Sequence, residues 1–444
     1  MQDYSDRLAV IGAGPVGLAV AKALLANHIA YDQLEADDEV GGNWYHGVYR
    51  TAHIISSKKT TEYADYPMPP DYPDFPSAQQ MCAYLQDYAD HFGLRRHIQF
   101  KTKLVMARPV AGDQWELELA NGERRVYQGL IVCNGHHWQR RWPEYEGEFA
   151  GEFYHSKDYR QPEQLAGKRI LVIGGGNSAC DVAAEAARVG ESAHISLRRG
   201  YWFLPKAAFG APIADTPLGW SPVWFQRLLL RFVVRVIVGK YSDYGLPTPD
   251  HRVFDRHPTL NSELLHYVKH GRIKPRPDIA RFAGNTVHFV DGSADEYDAV
   301  VCGTGFYVSF PFLPEGLVPV KNGNLAQVYA GCVLPDYKNL YLPGTVQARY
   351  GFGPLVTPMA DLLAELVKLQ SRMELPIGLV IKESGGKLPT SHLVNPYAAL
   401  RQMKRAKWFL PMLLGKEKKL RTRLLKPQPK ADLPATAQTD LQVY

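Results

Sequence analysis

The sequence predicts an α/β fold with two Rossmann-like domains that bind FAD or NAD(P) dinucleotides. Two glycine-rich turns carry this prediction, at residues 12–17 (GAGPVG) and 174–179 (GGGNSA), each between a short aliphatic run and a helix-like stretch. The first glycine allows a tight bend, the second lets backbone N–H groups approach a pyrophosphate, and the small third residue lets helix and strand pack closely. A single turn is weak evidence, but two in this context are strong.

The residues after the first turn indicate which nucleotide it binds. The run 29–35 (IAYDQLE) predicts a second strand that ends in Glu35, 23 residues after Gly12. A carboxylate at this point can accept hydrogen bonds from both ribose hydroxyls of an adenosine without a 2′-phosphate. The first turn therefore predicts FAD or NAD.

The residues after the second turn carry the opposite charge. The matching strand contains Ser196 and ends in Arg198 and Arg199, with no acid at that point. Guanidinium groups suit the 2′-phosphate of NADP, and the Ser196 hydroxyl adds a donor. An isolated arginine pair is more often a solvated strand end, but its place after a nucleotide turn favours NADP.

Two similar strand ends frame the second nucleotide module. Residues 130–133 (LIVC) are followed by Asn-Gly, and residues 299–302 (AVVC) by Gly-Thr-Gly-Phe. This arrangement predicts that the second module is inserted into the first. The expected units are a first nucleotide domain at 1–165 and 301–370, an inserted NADP domain at 166–300 with a helical lid at 205–265, and a basic tail at 371–444.

Local patterns predict several further elements. A helix is expected over 77–92 with Ser77 as its N-cap, and an irregular loop over the proline-dense residues 62–76. A further helix is expected with Thr357 as N-cap, Pro358 as its first residue and its end near Leu369. The glycines before it either supply backbone donors to a flavin ring or only cap the helix.

Composition excludes several functional classes. The five cysteines are scattered, with no pair at the spacing of a zinc site or a redox dithiol, so we expect reduced thiols in the cytoplasm. Adjacent histidines at 136 and 137 have no evident third ligand, so no metal site is expected. Hydrolase and kinase motifs are absent, no nucleic-acid partner is expected, and the short polar start leaves no room for a signal peptide.

The C-terminal region concentrates the positive charge. Residues 401–430 hold eleven lysines or arginines against one acid, Glu417, and include Trp408 and Phe409. Peripheral contact with an anionic membrane, a solvated surface helix or tail, and packing in a homodimer all fit this pattern. The segment 222–238 has three arginines spaced by four and therefore predicts an amphipathic helix that does not span a bilayer.

The residues between the two turns resemble a known family. Residues 149–159 follow the pattern F-x-G-x-x-x-H-x-x-x-Y, which is similar to the signature of flavin-containing monooxygenases, the class B flavoprotein monooxygenases. Matches at 41–44 (GGNW), 71–75 (DYPDF) and 303–306 (GTGF) agree, and the resemblance spans about 5–370. Tyr159 at the end of the motif, where Baeyer–Villiger relatives usually have tryptophan, favours the heteroatom-oxidising branch.

This resemblance implies the cofactors and their contacts. FAD would lie along Gly12, Gly14, Gly17, Glu35, Gly42, Asn43 and Trp44, NADPH along Gly174, Gly176, Asn177, Ser178, Ser196, Arg198 and Arg199, with Gly305 as a further cofactor contact. It also implies an N,N-dimethylaniline monooxygenase-like reaction. NADPH reduces FAD, O2 forms a C4a-(hydro)peroxyflavin, and one oxygen passes to a soft nitrogen or sulfur nucleophile, or to a ketone or indole.

One departure from the family limits this implication. Where members usually have asparagine in an N-x-x-K element, this chain has Ile55, which cannot donate a hydrogen bond to a peroxide. Either Ser56, Ser57 or His53 substitutes for it, or the enzyme leaks hydrogen peroxide. Two alternatives remain open: an NADPH-dependent flavoprotein reductase or oxidase without oxygen transfer, and a non-enzymatic sensor of the NADP redox state.

Overall fold

A computed structural model describes residues 2–216 and 221–425. The first stretch of chain forms six strands and three helices. The strands are β1 (Gln2–Ile11), β2 (Tyr31–Leu34), β3 (Ile98–Gln99), β4 (Leu104–Val110), β5 (Gln114–Leu119) and β6 (Arg124–Val132). The helices are α1 (Pro15–Ala26), α2 (Lys58–Thr61) and α3 (Ala78–His91). A single π-helical turn, Asn43–Gly47, follows the second strand.

The second stretch of chain forms thirteen strands and three helices. The strands are β7 (Gln139–Arg140), β8 (Glu152–His155), β9 (Arg169–Ile173), β10 (Ser192–Ser196), β11 (Phe203–Leu204), β12 (Ala207–Ala208), β13 (Ala211–Pro212), β14 (Thr259–Leu260), β15 (Ile273–Arg276), β16 (Ile279–Ala283), β17 (Thr286–Phe289), β18 (Ala294–Glu296) and β19 (Ala299–Cys302). The helices are α4 (Asn177–Val189), α5 (Val223–Ile237) and α6 (Glu263–Lys269).

The last stretch of chain is mainly helical. Its strands are short: β20 (Phe306–Tyr307), β21 (Val320–Lys321), β22 (Leu325–Ala326), β23 (Leu340–Tyr341), β24 (Gln347–Ala348) and β25 (Leu393–Val394). Its helices are α7 (Gly353–Gln370), α8 (Ile377–Glu383), α9 (Pro396–Phe409) and α10 (Met412–Leu424). Residues 426–430 of the predicted basic segment lie outside the described residues.

Two sheets organise these elements. The first has the order β3-β2-β1-β6-β5-β4, and β23 pairs with β6. Its strands β3, β2, β1, β6 and β23 are parallel, whereas β4 and β5 form an antiparallel edge. The second sheet is wholly parallel, with the order β15-β10-β9-β19-β8. These sheets and the helices between their strands confirm the predicted mixed α/β architecture.

The second sheet lies inside the first in sequence order. All of its strands fall between β6, which leaves the first sheet, and β23, which returns to it at Leu340↔Leu130. Each sheet buries its own apolar core. One core joins β1 to α1, α3 and α7, and another joins the strands of the second sheet to α4.

The local predictions have mixed outcomes. The helix over 77–92 is confirmed as α3, where Ser77 and Gln80 form a capping box. The predicted amphipathic helix is confirmed as α5, and the proline-dense residues 62–76 contain no helix or strand. Two strand ends behave as predicted: β6 and β19 stop directly before Cys133-Asn134 and Gly303.

The predicted start of the helix that ends near Leu369 is wrong. Helix α7 begins at Gly353 rather than at Pro358, which lies inside it. A second proline, Pro354, takes the place in the first turn where the missing N–H costs nothing. The Thr357 hydroxyl does not cap the helix but donates to the carboxylate of Asp65 at 2.8 Å, a partner 292 residues away in the sequence.

Candidate functional site

Both glycine turns open into one large cavity. Its volume is about 1740 Å³, and its wall includes Gly12 and Gly14 of the first turn and Gly176 and Asn177 of the second. Pockets for a single small molecule are typically about 300–1,000 Å³. The cavity is therefore large enough for more than one ligand.

The first turn has the geometry that a dinucleotide pyrophosphate requires. Gly12 has φ +100°, and a Cβ there would lie 2.7 Å from the carbonyl oxygen of Cys133, so only glycine fits. At Gly14 the nearest protein atom to such a Cβ is 3.7 Å away, which leaves room in front of the N-terminus of α1. Gly17 packs against the turn itself and does not line the cavity.

Glu35 closes the far end of the first site. It follows β2, is buried, and accepts hydrogen bonds from the backbone N–H groups of Ala13 at 2.5 Å and Asp37 at 2.9 Å. Burial raises the pKa of this carboxyl above its ordinary value, although the two hydrogen bonds act in the opposite direction. Its place at the end of the strand and on the cavity wall fits an adenosine ribose.

The second turn repeats this geometry. Gly174 has φ +112°, and a Cβ there would lie 2.5 Å from the carbonyl oxygen of Gly303. A Cβ at Gly176, directly before α4, would meet nothing within 4 Å, so space for a phosphate is again available. Ser178 faces this space, whereas the Asn177 side chain accepts a hydrogen bond from the Leu260 N–H at 2.8 Å.

The three polar residues that the sequence singles out after β10 are not part of the cavity wall. Ser196 is buried, and its hydroxyl donates to the Pro277 carbonyl at 2.6 Å. Arg198 is exposed, and Arg199 stacks over the Tyr201 ring at 5.4 Å. The two arginines therefore lie at the rim of the second site, at the end of its second strand.

A lysine that sequence reasoning missed connects the family-like motif to the first site. The ammonium group of Lys157 donates to the Asn43 side-chain oxygen at 2.7 Å and to the Gly47 carbonyl at 2.9 Å. It also lies 3.9 Å from the centre of the Trp138 ring. Burial lowers the pKa of Lys157 to about 8. The position of Lys157 inside residues 149–159 was the available signal, but its partner lies 114 residues away.

The histidine and the tyrosine that define this motif contact other parts of the structure. His155 is buried, and its Nε2 donates to the Gly305 carbonyl at 3.0 Å, while its Nδ1 accepts from the Lys157 N–H. The Tyr159 ring packs 5.5 Å from the Tyr49 ring. Together these contacts join residues 155–159, which begin at the end of β8, to residues 43–49 and to Gly305.

The residues around Ile55 form a network that reaches into the lid. Ile55, Ser56 and His53 line the cavity, whereas Ser57 does not. The Ser57 hydroxyl contacts the Asp215 carboxylate, and His53 Nε2 contacts the Lys206 ammonium group. The Ser56 hydroxyl pairs with the Thr61 hydroxyl at 2.7 Å.

Histidines at the cavity wall do not form a metal site. Within residues 2–216 and 221–425, no group of three or more histidine, cysteine or acidic side chains could hold a metal ion. His136 and His137 instead lie 3.3 and 3.1 Å from the side-chain nitrogen of Gln347. Burial lowers the pKa of both histidines, so neutral imidazoles face this part of the cavity at neutral pH.

Comparison with known proteins identifies the family. The model of the FMO-like family, described as flavin-binding monooxygenase-like, matches residues 5–409. The chain belongs to the flavin-containing monooxygenase family. Rabbit flavin-containing monooxygenase 5 is 32% identical over 399 residues, which cover 82% of this chain and 72% of that protein. Rabbit dimethylaniline monooxygenase [N-oxide-forming] 2 is 29% identical, over 83% of this chain and 72% of that protein.

Solved structures agree with the fold. Cyclohexanone monooxygenase from Rhodococcus sp. Phi1, bound to NADP+, superposes with a TM-score of 0.64 at 17% identity and covers 84% of this chain and 86% of its own. By its family, the chain is an FAD- and NADPH-dependent flavin monooxygenase, as the sequence predicted. Among the described residues no helix combines the length and apolar character that a bilayer crossing requires.

Proposed function

We propose that this chain oxygenates a soft nitrogen or sulfur nucleophile, using FAD on the first sheet and NADPH on the second. The observation that carries the proposal is the single cavity into which both glycine turns open. When bound, the flavin supplies the activation of O2 and the transfer of one oxygen atom. The chain's own residues bind and orient the two cofactors and exclude bulk water.

The contacts of the first site support its role as the FAD cradle. Gly12 and Gly14 leave space for a pyrophosphate at the N-terminus of α1, and Glu35 offers a fixed carboxylate to a ribose. Lys157 orients the Asn43 amide, because an ammonium group can only donate and its bond of 2.7 Å therefore goes to the amide oxygen. Asn43 and Trp44 both line the cavity.

The contacts of the second site support an inserted NADPH domain. Gly174, Gly176 and Ser178 surround the phosphate space at α4, and the exposed Arg198 and the half-buried Arg199 offer two guanidinium groups to a 2′-phosphate. Ser196 contributes by holding the strand end in place through its bond to Pro277. The proposed domains are 1–165 with 301–370 and the insert 166–300 with its lid.

The chemistry at Ile55 sets the efficiency of the reaction. His53 and Ser56 lie beside Ile55 on the cavity wall, whereas Ser57 does not line it. The Ser57 hydroxyl is hydrogen-bonded to Asp215, and the Ser56 hydroxyl to Thr61. We expect part of the NADPH to be consumed with release of hydrogen peroxide instead of product, because an isoleucine side chain offers no hydrogen-bond donor.

A substrate panel tests the proposal. Purified protein with FAD is supplied with NADPH, O2 and one of four compounds: N,N-dimethylaniline, thioanisole, indole or cyclohexanone. We expect an N-oxide or sulfoxide that carries label from ¹⁸O2. Oxidation of NADPH with no labelled product from any compound would instead support a reductase or oxidase, and failure of NADPH to bleach the flavin would support a redox sensor.

A peripheral membrane contact through residues 401–430 is also proposed. Helices α9 and α10 expose Trp408 (86%), Phe409 and Met412 next to Lys404 and Lys407. Apolar side chains flanked by cations suit an anionic bilayer surface. Co-sedimentation with anionic but not neutral vesicles is expected, and dimerisation without vesicle binding would contradict the proposed membrane contact.

The free cysteines support a cytoplasmic location.

A further inference from the structure

One arginine in the cavity wall, Arg349, forms no ion pair with any described residue. Arg349 follows β24, which pairs with β25, and its backbone N–H donates to the Val394 carbonyl at 3.1 Å. This pairing fixes the backbone of Arg349 between the lid and the segment 387–406, and its side chain lines the cavity. No sequence motif singles it out.

The guanidinium group of Arg349 is held but not satisfied. Its Nε and Nη1 atoms are buried and have no hydrogen-bond partner, and within residues 2–216 and 221–425 it forms no ion pair. One face lies against the Phe254 ring, 4.8 Å from its centre. The ring fixes the plane of the fork without neutralising its charge.

A neighbouring arginine shows what a satisfied site looks like in this region. Arg227 on α5 donates to the Asp255 carboxylate at 2.5 Å and to the Val253 carbonyl at 2.9 Å. The Asp255 carboxylate, whose charge also acts on Arg349, is thus already paired with another arginine. Burial lowers the pKa of Arg349, but a guanidinium still remains charged at neutral pH. The cavity wall therefore carries an uncompensated cation.

An anion is the ligand that this arrangement lacks. A buried charge is costly unless it is paired, and the planar fork of arginine matches a carboxylate in two parallel hydrogen bonds. The same cavity is lined by apolar side chains of both segments that contact Arg349, with Leu230 and Phe254 from the lid and Leu388 and Met403 from the C-terminal segment. Tyr350 cannot serve as a competing donor, because its hydroxyl donates to Gln226 at 2.7 Å.

Neither glycine turn contributes to the hydrogen bond or the ring contact of Arg349. The predicted phosphate positions lie at the N-termini of α1 and α4, and the predicted ribose ends lie at Glu35 and at Arg198. Arg349 instead contacts the lid through Phe254 and the C-terminal segment through Val394. The anion that pairs with it is thus expected to belong to the substrate.

We infer that Arg349 binds a carboxylate on the substrate, so that the preferred substrates are thioethers or amines with an apolar body and one carboxylate. The inference rests on the proposed function, because the atom to be oxygenated is the soft nucleophile of the same molecule. The lid and the C-terminal segment enclose the apolar body, and Arg349 sets which end of the molecule remains away from the flavin.

A matched set of substrates tests the site kinetically. The probes are γ-(methylthio)butanoic acid, its methyl ester, and the thioether of equal chain length that has an amine in place of the carboxylate. The unaltered chain should prefer the acid. In Arg349→Gln the ratio of kcat/KM for acid over ester should fall roughly tenfold or more, the usual scale of a charge-assisted pair, and Arg349→Lys should retain part of the preference. Arg231→Gln, on the exposed face of α5, is the charge-matched control.

A binding measurement keeps the test independent of turnover. Calorimetry on the FAD-loaded protein with NADP+ present compares hexanoate with hexanol. Hexanoate should bind the unaltered chain and bind Arg349→Gln roughly tenfold more weakly, with no such change for hexanol. Equal loss for hexanol, or no loss for hexanoate, overturns the inference. A tenfold weaker Kd for NADP+ in the same variant also overturns it, because the anion would then be the cofactor phosphate.

The two arms separate the inference from the proposed function. If the unaltered chain oxygenates no nitrogen or sulfur nucleophile, either in this set or in the substrate panel, the proposed function fails, and the hexanoate titration still supports or overturns the Arg349 site. If the thioethers are oxygenated with no preference for the acid in any variant, the proposed function stands and the inference fails.

Discussion

The two nucleotide sites share a backbone design and differ at their ribose ends. Each turn has a glycine at a positive φ whose Cβ would collide with a carbonyl of the neighbouring strand end, at Cys133 for Gly12 and at Gly303 for Gly174. The first site then ends in a buried acid, Glu35, held by two backbone N–H groups, whereas the second ends in two arginines, the exposed Arg198 and the half-buried Arg199. In the proposed function, the backbone provides phosphate binding, and side chains at the strand ends choose the nucleotide.

The largest expected effects come from breaking one turn at a time. Gly12→Ala combines a contact of 2.7 Å with a backbone conformation that costs a side-chain-bearing residue about 1–3 kcal/mol. We expect its flavin content to fall roughly tenfold or more. Gly174→Ala, with a 2.5 Å contact, should retain flavin but lose its reduction by NADPH. Flavin absorbance and its bleaching by NADPH measure both.

A control for this pair is Gly271→Ala, which has φ +68° but nothing within 4 Å of the added Cβ. It introduces similar backbone strain away from both sites. Equal loss of flavin in Gly12→Ala and Gly174→Ala would show that the two turns do not serve separate cofactors.

The next effect concerns the choice of nucleotide at the second site. Replacing Arg198 and Arg199 together by alanine should raise the KM for NADPH about 100-fold, since two charge-assisted contacts are worth about 3 kcal/mol or more. The KM for NADH should change little, because NADH lacks the 2′-phosphate. Steady-state kinetics with both nucleotides make the comparison, and a parallel rise in both KM values would contradict this assignment.

The first site should respond to pH through Glu35. Burial raises the pKa of this carboxyl, so it takes up a proton at a higher pH than an exposed glutamate does. Protonation removes the acceptor, and FAD retention should therefore fall as the pH decreases through the raised pKa. For folding without FAD the sign is opposite: protonated Glu35 is favoured by burial, and that contribution disappears as the pH rises.

Glu35→Gln tests this pH effect. FAD should bind about tenfold more weakly at neutral pH, the scale of one charge-assisted contact, and the pH dependence between mildly acidic and neutral values should flatten. Equilibrium dialysis across this range measures both. A variant that binds FAD as tightly as the unaltered chain would show that the ribose lies elsewhere.

The smallest effect is expected from changing Ile55, and it concerns how much of the NADPH leads to oxygenated product. Ile55→Asn adds a donor on the cavity wall, and one net hydrogen bond of about 1 kcal/mol corresponds to roughly fivefold. The ratio of oxygenated product to NADPH consumed should rise, and hydrogen peroxide release should fall. Ile55→Val, which changes size without adding a donor, is the matched control. Equal ratios in the two variants would mean that Ile55 does not limit coupling.

The sequence predicts local features of this molecule better than distant contacts. The glycine turns, Glu35 and the Ser77 cap depend on neighbours within one strand–turn–helix unit, and the structure confirms α3. The start of α7 was mispredicted because Pro354 and Pro358 both suit a first turn, and only the contact of Thr357 with Asp65 distinguishes them.

Residues at the meeting points of distant segments could not be found from spacing. Lys157 acquires its partner Asn43 from 114 residues away. Arg349 acquires Phe254 from the lid and Val394 from the C-terminal segment. Neither contact follows from periodicity or composition, since both depend on how the second sheet, the lid and the last helices come together.

The insertion of the second sheet also sets the order of folding during synthesis. Every strand of that sheet has left the ribosome by residue 302, whereas the first core still lacks β23 and the α7 helix that packs on α1. We therefore expect the second domain to become protease-resistant on the nascent chain before the first does, the reverse of their order in the sequence. Until residue 370 emerges, the apolar face of α1 is uncovered. We therefore expect the nascent chain to depend most on chaperones before that point.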